Sequence, residues 1–360
     1  MRLTSIAAGI LTLALAGYPA LDSIASRAIA APRTPPQGAD RGPMGPAGSQ
    51  PRQTQPETAP QTQQQPPQTE NPLESRTAVV NVFATVRDKH NAVVGDLIQD
   101  DFKVFEDGVP QKVAYFSREV NLPISLAILM DTSGSMYYML GAEKDAGSRF
   151  VREVMHKKDE AIVMTFDTDV NLLADFTEDP AVLSKAIHHA EINVDATGIG
   201  GTGGTIPHRN GGGTNLYDAV YLAAHDELGP EAGRKALVIL SDCEDNGSKM
   251  SERDAVESVE RGDAVAHIIL ISDPRATEGY GYGVAQSLAQ ETGGRVISVR
   301  NQNGLEKAFD IISEELRSQY VLGYYSTNTN RDGTFRKIKV EVARPDTKVL
   351  NRRGYYAPSR

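Results

Sequence analysis

The residues whose types and spacing could do chemistry lie first in one short loop, Asp131-Thr132-Ser133-Gly134-Ser135. One carboxylate and two hydroxyls at i, i+2 and i+4 put three hard oxygen donors on a tight turn, and Gly134 lets the backbone turn between the serines. Hard oxygens suit Mg²⁺, Mn²⁺ or Ca²⁺ rather than zinc or copper. Two more segments carry the same chemistry. Gly211-Gly-Gly-Thr214-Asn215 precedes a helical stretch that begins near Leu216, and Leu240-Ser241-Asp242 ends an apolar run. Asp131, Ser133, Ser135, Thr214 and Asp242 then make five oxygen side chains on three loops. Two carboxylates neutralise a divalent ion, and a six-coordinate ion keeps one position for water or an incoming ligand. Taken alone, Asp131-Thr-Ser-Gly also reads as a plain turn, because Asp, Ser and Gly favour turns. The three junctions together argue for a metal.

The elements around these loops are of two kinds. Residues 77–120 read as strands: Val80, Val82, Ala84 and Val86 alternate, and Asp107-Gly108 after Phe102–Glu106 signals a hairpin. At Pro123 the pattern changes. Ile124–Met130, Ala161–Phe166, Ala236–Leu240, Val265–Ile271 and Arg295–Val299 are nearly continuous apolar runs, as expected of strands buried on both faces. Helical stretches lie between and after them, at about 142–157, 180–190, 215–227, 251–260, 280–291 and 303–318. The expected fold is α/β, a doubly wound, mostly parallel sheet, with Asp131 and Asp242 at the carboxyl ends of its strands, where such sheets bind ligands. After residue 318 strands return at Gln319–Tyr325, Arg336–Val342 and Gly354–Tyr356. Neither terminal β segment is large enough to bury a core of its own. The expected solution is a small β-sandwich built from 76–120 and 319–360, with 121–318 inserted between them.

With these positions in view, the chain resembles the von Willebrand factor A family. The resemblance covers about 122–318 and rests on Asp131-x-Ser133-x-Ser135, on Gly213-Thr214-Asn215-Leu-Tyr-Asp218-Ala219, and on Leu240-Ser-Asp242-Cys-Glu-Asp245-Asn246. It implies a metal-ion-dependent adhesion site in which Ser133 and Ser135 ligate directly. Thr214 would alternate between direct and indirect contact, and Asp131 and Asp242 would act directly or through water. An acidic side chain of a partner protein would complete the sphere. The chain departs from the family pattern at Cys243, where glycine is usual, and in a stretch with eight glycines over 198–213.

The remaining composition is consistent with a binder at a non-nucleic-acid surface. The chain has 360 residues, 37 Lys+Arg against 47 Asp+Glu and a net charge of -10. Residues 1–75 are neutral, so the acidic excess sits on the rest. Such a surface disfavours nucleic acid and anionic membranes. One cysteine, Cys243, excludes an intramolecular disulfide framework and a Cys-based zinc site. At the N-terminus, Arg2, the apolar run Ile6–Gly17 and Ala28-Ile29-Ala30 form the three-part pattern of a signal peptide over 1–30. Asp22 and Arg27 interrupt the run before the roughly 20 apolar residues a membrane span needs. Residues 31–75 carry eleven of the twenty prolines and nine glutamines, the composition of a disordered spacer. The expectation is an exported protein, periplasmic or secreted, with no membrane insertion after cleavage.

An enzyme needs a nucleophile, a tuned base and transition-state donors. Ser133 and Ser135 have no His within their motif, and neither Gly-x-Ser-x-Gly nor His-Glu-x-x-His occurs. The favoured reading is therefore a non-enzymatic, metal-dependent adhesion-type module with Mg²⁺, or else Mn²⁺ or Ca²⁺. The alternatives are a metal-dependent hydrolase at the same site and a non-metal scaffold of the same fold. Glu244 and Asp245 read as loop acids and Asp218 as a first-turn helix acid. Cys243 reads as a buried small hydrophobe or a reactive thiol. His188-His189 cannot form a zinc pair on one helix face. Tyr324-Tyr325 and Tyr355-Tyr356 fit paired strands more simply than a binding stripe.

Overall fold

Period-two alternation sets the first strand. In β1 (Val79–Asp88) the side chains of Val80, Val82, Ala84 and Val86 are buried on one face. β2 (Phe102–Glu106) and β3 (Val109–Gln111) form a hairpin, and β4 (Val113–Glu119) follows. Asp107 and Gly108 close the hairpin with φ of 47° and 81°, the double positive φ that a two-residue turn demands. The computed structural model describes residues 79–119, 123–193, 213–272 and 280–359. The expected signal peptide, the Pro/Gln-rich spacer and most of the Gly-rich stretch lie outside them.

Beyond Pro123 the chain enters a six-stranded sheet. Its strands are β5 (Ile124–Asp131), β6 (Glu160–Phe166), β7 (Val170–Thr177), β8 (Arg234–Ser241), β9 (Ala264–Ile271) and β10 (Val296–Val299). Their order is β10-β9-β8-β5-β6-β7, and all pairings are parallel except β6 with β7. All eight residues of β5 are buried, which explains its unbroken apolar run. The apolar pattern did not signal β7, because it is an edge strand in which only Ala174 is buried.

Among the described residues six helices cover the two faces: α1 (Leu140–Val154), α2 (Pro180–His189), α3 (Leu216–Tyr221), α4 (Glu252–Arg261), α5 (Tyr280–Thr292) and α6 (Gln302–Arg317). Ile124, Leu126, Ile128 and Met130 of β5 pack with α1, α2 and α6, whereas Ala127 and Leu129 pack with α3, α4 and α5. Local signals start these helices where they start. Asp179 accepts a hydrogen bond from the Ala181 amide (2.8 Å) ahead of Pro180, and Ser251 and Asp254 form a capping box. α3 passes into a π-helical turn over Leu222–Glu227.

The flanking strands then close on each other. β11 (Gln319–Tyr325), β12 (Phe335–Val342), β13 (Thr347–Leu350) and β14 (Gly354–Tyr356) join the N-terminal strands in two antiparallel sheets, β13-β1-β11-β4 and β14-β12-β2-β3. Val82, Val104, Leu322 and Val340, from four strands of both segments, share one core. The fold is thus a doubly wound, mostly parallel sheet set into a β-sandwich that both flanks build. Glu119 pairs with Gln319, so the chain leaves and re-enters the sandwich on neighbouring strands. The tyrosine pairs belong to this sandwich. Buried Tyr324 donates to Glu106 (2.8 Å), as does Tyr355 (3.0 Å), and Tyr325 meets Tyr115 (2.6 Å between hydroxyls).

One buried ion cluster joins the sandwich to the α/β sheet. Glu315 of α6 accepts from Arg87 Nε of β1 at 2.7 Å and lies 3.2 Å from Arg295 Nε, with both Arg87 and Glu315 almost wholly buried. Breaking a buried pair leaves an uncompensated charge, at a cost of roughly 3–5 kcal/mol. Glu315→Ala, which removes the shared acceptor and strands buried Arg87, is accordingly expected to lower the unfolding free energy by about 3 kcal/mol in a denaturant titration. A loss below about 1 kcal/mol, the worth of an exposed pair, would contradict the cluster's structural role.

Candidate functional site

The strand order reverses between β5 and β8, which are hydrogen-bonded neighbours. Met130 stands opposite Leu240, so Asp131 and the Ser241-Asp242 pair emerge side by side at the carboxyl edge. This is the crevice where open α/β sheets place ligands. Asp131 is fully buried. Its Oδ1 accepts from the Ser133 amide (2.9 Å) and its Oδ2 from Ser241 Oγ (2.6 Å). Ser133 Oγ and Ser135 Oγ are 3.0 Å apart; Ser133 is buried and Ser135 exposed. The half-buried Asp242 is close enough for its charge to act on Asp131.

Thr214 reaches the same edge from a third loop. Its amide donates to Asn246 Oδ1 (2.7 Å), and its carbonyl accepts from the Asn246 amide (3.2 Å). The next residue, Asn215, donates its amide to the Asp167 carbonyl (2.8 Å). Asp167 braces the first loop as well, accepting from Thr132 Oγ1 (2.8 Å) and Asn193 Nδ2 (2.9 Å). Burial alone would raise the Asp167 carboxyl, but the hydrogen bonds from Asn193, Thr132, the Asp169 amide and Thr168 outweigh it and hold it below its usual value. Thus Asp131, Ser133, Ser135 and Asp242 gather at one strand-end pair, and Thr214 is tied to the Asp242 loop.

The chemistry of this donor set fits a hard divalent cation. Burial, and then the charge of Asp242, push Asp131 up to about 7 against the hydrogen bonds from Ser133 and Ser241. Two carboxylates forced together in a low-dielectric pocket repel, and a cation between them removes the conflict. Among the described residues no group of three or more His, Cys, Asp or Glu side chains is arranged to hold a metal. The site therefore depends on hydroxyl oxygens, which favours hard ions over zinc.

Three residues that orient the site loops were not read as such from the sequence: Ser241, Asn246 and Asp167, each of which ends or closely trails a strand, the signal available. Glu143, outside this donor set, was not singled out either. It sits on the inward stripe of α1 with Leu140, Ala146, Phe150 and Val151, a charged residue where the helical period asks for an apolar one. Other expectations find structural duties. Asp245 accepts from the Tyr217 amide (3.2 Å), and Asp218 from the Met250 amide (2.8 Å), so both tie the Asp242 loop to α3. His188 Nδ1 contacts the Ser184 carbonyl (2.8 Å) and Ser148 Oγ (3.0 Å).

Cys243 is fully buried with φ of 57°. That left-handed conformation is the reason glycine suits the position. Its amide donates to Ser241 Oγ (2.8 Å), and burial, then Asp242 and Asp131, push the thiol far above its usual value. α5 crowds the same loop: a Cβ on Gly281 would lie 1.9 Å from the Asp242 carbonyl oxygen.

Residues 126–245 match the model of the von Willebrand factor type A domain, a stretch that holds all five candidate ligands. No curated protein matches the sequence. Solved structures similar to this chain include the conserved hypothetical protein BatB from Bacteroides thetaiotaomicron, at 20% identity over 54% of this chain and 100% of that one, with a TM-score of 0.41. A von Willebrand factor type A protein from Catenulispora acidiphila is 14% identical over 72% of this chain and 73% of that one, with a TM-score of 0.42. Proximal thread matrix protein 1 from the mussel byssus, solved with a zinc-occupied MIDAS motif, is 15% identical, with a TM-score of 0.43. That match covers 56% of this chain and 50% of the mussel chain, so this chain spans about half of that protein.

The buried acid has a pH signature. The folded value of Asp131, about 7, lies above its unfolded value of about 4. Its contribution to stability is therefore complete below about pH 4 and lost as pH rises through about 7. In chelator, the unfolding free energy should fall across that window by on the order of 4 kcal/mol more in the wild type than in Asp131→Asn. Equal slopes would contradict the assignment. Cys243 should resist an aqueous thiol reagent until the protein is unfolded; rapid native labelling would refute its burial.

Proposed function

We propose that this protein is an exported, metal-dependent protein-binding module of the adhesion type. Asp131, Ser133, Ser135, Thr214 and Asp242 hold a divalent cation, with Mg²⁺ the best match and Mn²⁺ or Ca²⁺ as substitutes. The observation that carries this reading is the buried Asp131 carboxyl, set beside Asp242 and two serine hydroxyls at the reversal point of the sheet. The match of 126–245 to the von Willebrand factor type A model supports it, since that stretch spans all three loops.

The ligand side of the site supports binding of a protein. Ser135 is exposed and Asp242 half-buried, so a cation between them faces solvent and has a position for an incoming oxygen. Beside it stand Tyr137 and Tyr138, 63% and 80% exposed, with their rings edge to face at 5.3 Å. Large aromatic side chains at a rim are the kind that anchor protein interfaces. A carboxylate from the partner supplies the directional contact to the cation, and the neighbouring loops supply selectivity. The module's address is the N-terminal signal pattern over 1–30, followed by the spacer over 31–75. No helix among the described residues is long and apolar enough to cross a membrane.

Calorimetric titration of Mg²⁺ and Mn²⁺ into metal-stripped protein tests the reading. We expect one-to-one binding that Asp131→Ala weakens by about a hundredfold or more, beyond what losing an outer-shell partner of a ligand costs. A peptide bearing a Glu or Asp should then bind the loaded protein, lose its affinity in chelator, and be recovered unchanged. Metal-dependent cleavage would move the assignment to a hydrolase, and no cation uptake would reduce it to a scaffold.

A further inference from the structure

Glu143 has no part in the site so far. It lies near the start of α1, which follows the metal-candidate loop after one short 3-10 turn, Gly134–Tyr138. Its side chain is fully buried, and neither carboxyl oxygen has a hydrogen-bond partner. Burial, then the charges of Asp131 and Asp242, drive its carboxyl well above the usual carboxylate range. Two equally buried glutamates show what is missing. Glu315 has Arg87 and Arg295, and Glu106 has Arg336, Tyr324 and Tyr355. A carboxyl with no such partner is costly to keep, and a leucine or methionine would suit its stripe. A positive charge at the Asp131 and Asp242 loops would supply the compensation.

Resting on the cation reading above, we propose that Glu143 is a third acid of the site, an inner carboxylate that faces the bound cation across a water and sets the site's preference for ions of higher charge. Asp131, Asp242 and Glu143 do not close into one ligand shell, which is why a bridging water is required. Glu143 is in this sense a positioning residue. It holds the water and adds charge behind the ion, while the five ligands hold the ion itself.

The electrostatic role separates from a packing role through ion charge, because Coulomb energy scales with it. Mn²⁺ and Tb³⁺ are titrated into full-length wild type, Glu143→Gln and Glu143→Asp, with native folding checked by circular dichroism. Glu143→Gln should weaken Mn²⁺ by at least about tenfold and Tb³⁺ by at least about thirtyfold, the same energy per unit charge. Glu143→Asp, which keeps the charge, should recover most of both. Equal losses for the two ions, or no loss, would overturn the proposal while leaving the site intact. Wild type that takes up neither ion would sink the cation reading and this inference together. If Glu143→Gln does not fold, carboxyl-¹³C glutamate labelling of wild type decides. The Glu143 carboxyl resonance should move toward its ionised position on adding Mg²⁺, and a resonance that stays would refute the proposal.

Discussion

Like charges held together in a dry place are the constraint around which this molecule is arranged. Asp131 ends β5 and Asp242 follows the adjacent parallel strand β8, and the register that pairs Met130 with Leu240 sets them side by side. Glu143 adds a third carboxyl from the helix that follows the loop. A fold relieves such a conflict by protonation, by a counter-charge or by ligand binding. Among the described residues, no arginine stands beside these carboxyls as arginines stand around Glu315 and Glu106. On the proposed reading, the surrounding structure is a frame for an external cation. Ser241 and the Ser133 amide fix the Asp131 carboxylate, Asn246 fixes Thr214, and Asp167 links the first loop to the third.

The frame itself is held by two cores and the sandwich. β5 has no exposed residue and is clamped between two helical layers, so the loop that follows it starts from a rigid anchor. The sandwich is closed by strands from both ends of the described chain, and Glu119 opposite Gln319 brings the entry and exit of the inserted sheet together. Glu315 makes the join specific, because its partners come from β1 and from the segment entering β10. A change in the position of α6 would therefore be felt at β1 through the same buried charge.

Much of this was legible beforehand, for reasons that differ by element. The continuous apolar runs identified β5, β6, β8, β9 and β10, since a strand buried on both faces has no polar side to show. β7 escaped because an edge strand with one buried residue carries neither pattern. Asp107-Gly108 announced its hairpin because few dipeptides tolerate positive φ at both positions. Glu143 could have been noticed as a charge on an apolar stripe, but periodicity alone does not say whether such a charge is paired.

Residue type and order by themselves determined the strand and helix alternation, the hard-oxygen character of the three loops and the existence of β segments at both flanks. These are local properties, set by periodicity, turn chemistry and donor type within a few residues. Tertiary structure decided which carboxyls are neighbours, which are dry and which lack a counter-charge. Asp131 meets Ser241 across 110 residues and Arg87 meets Glu315 across 228. Such pairings depend on strand order and on the packing of α1 and α6 against the sheet. Desolvation is a property of everything within several ångströms of a group, and only the folded chain brings those atoms together.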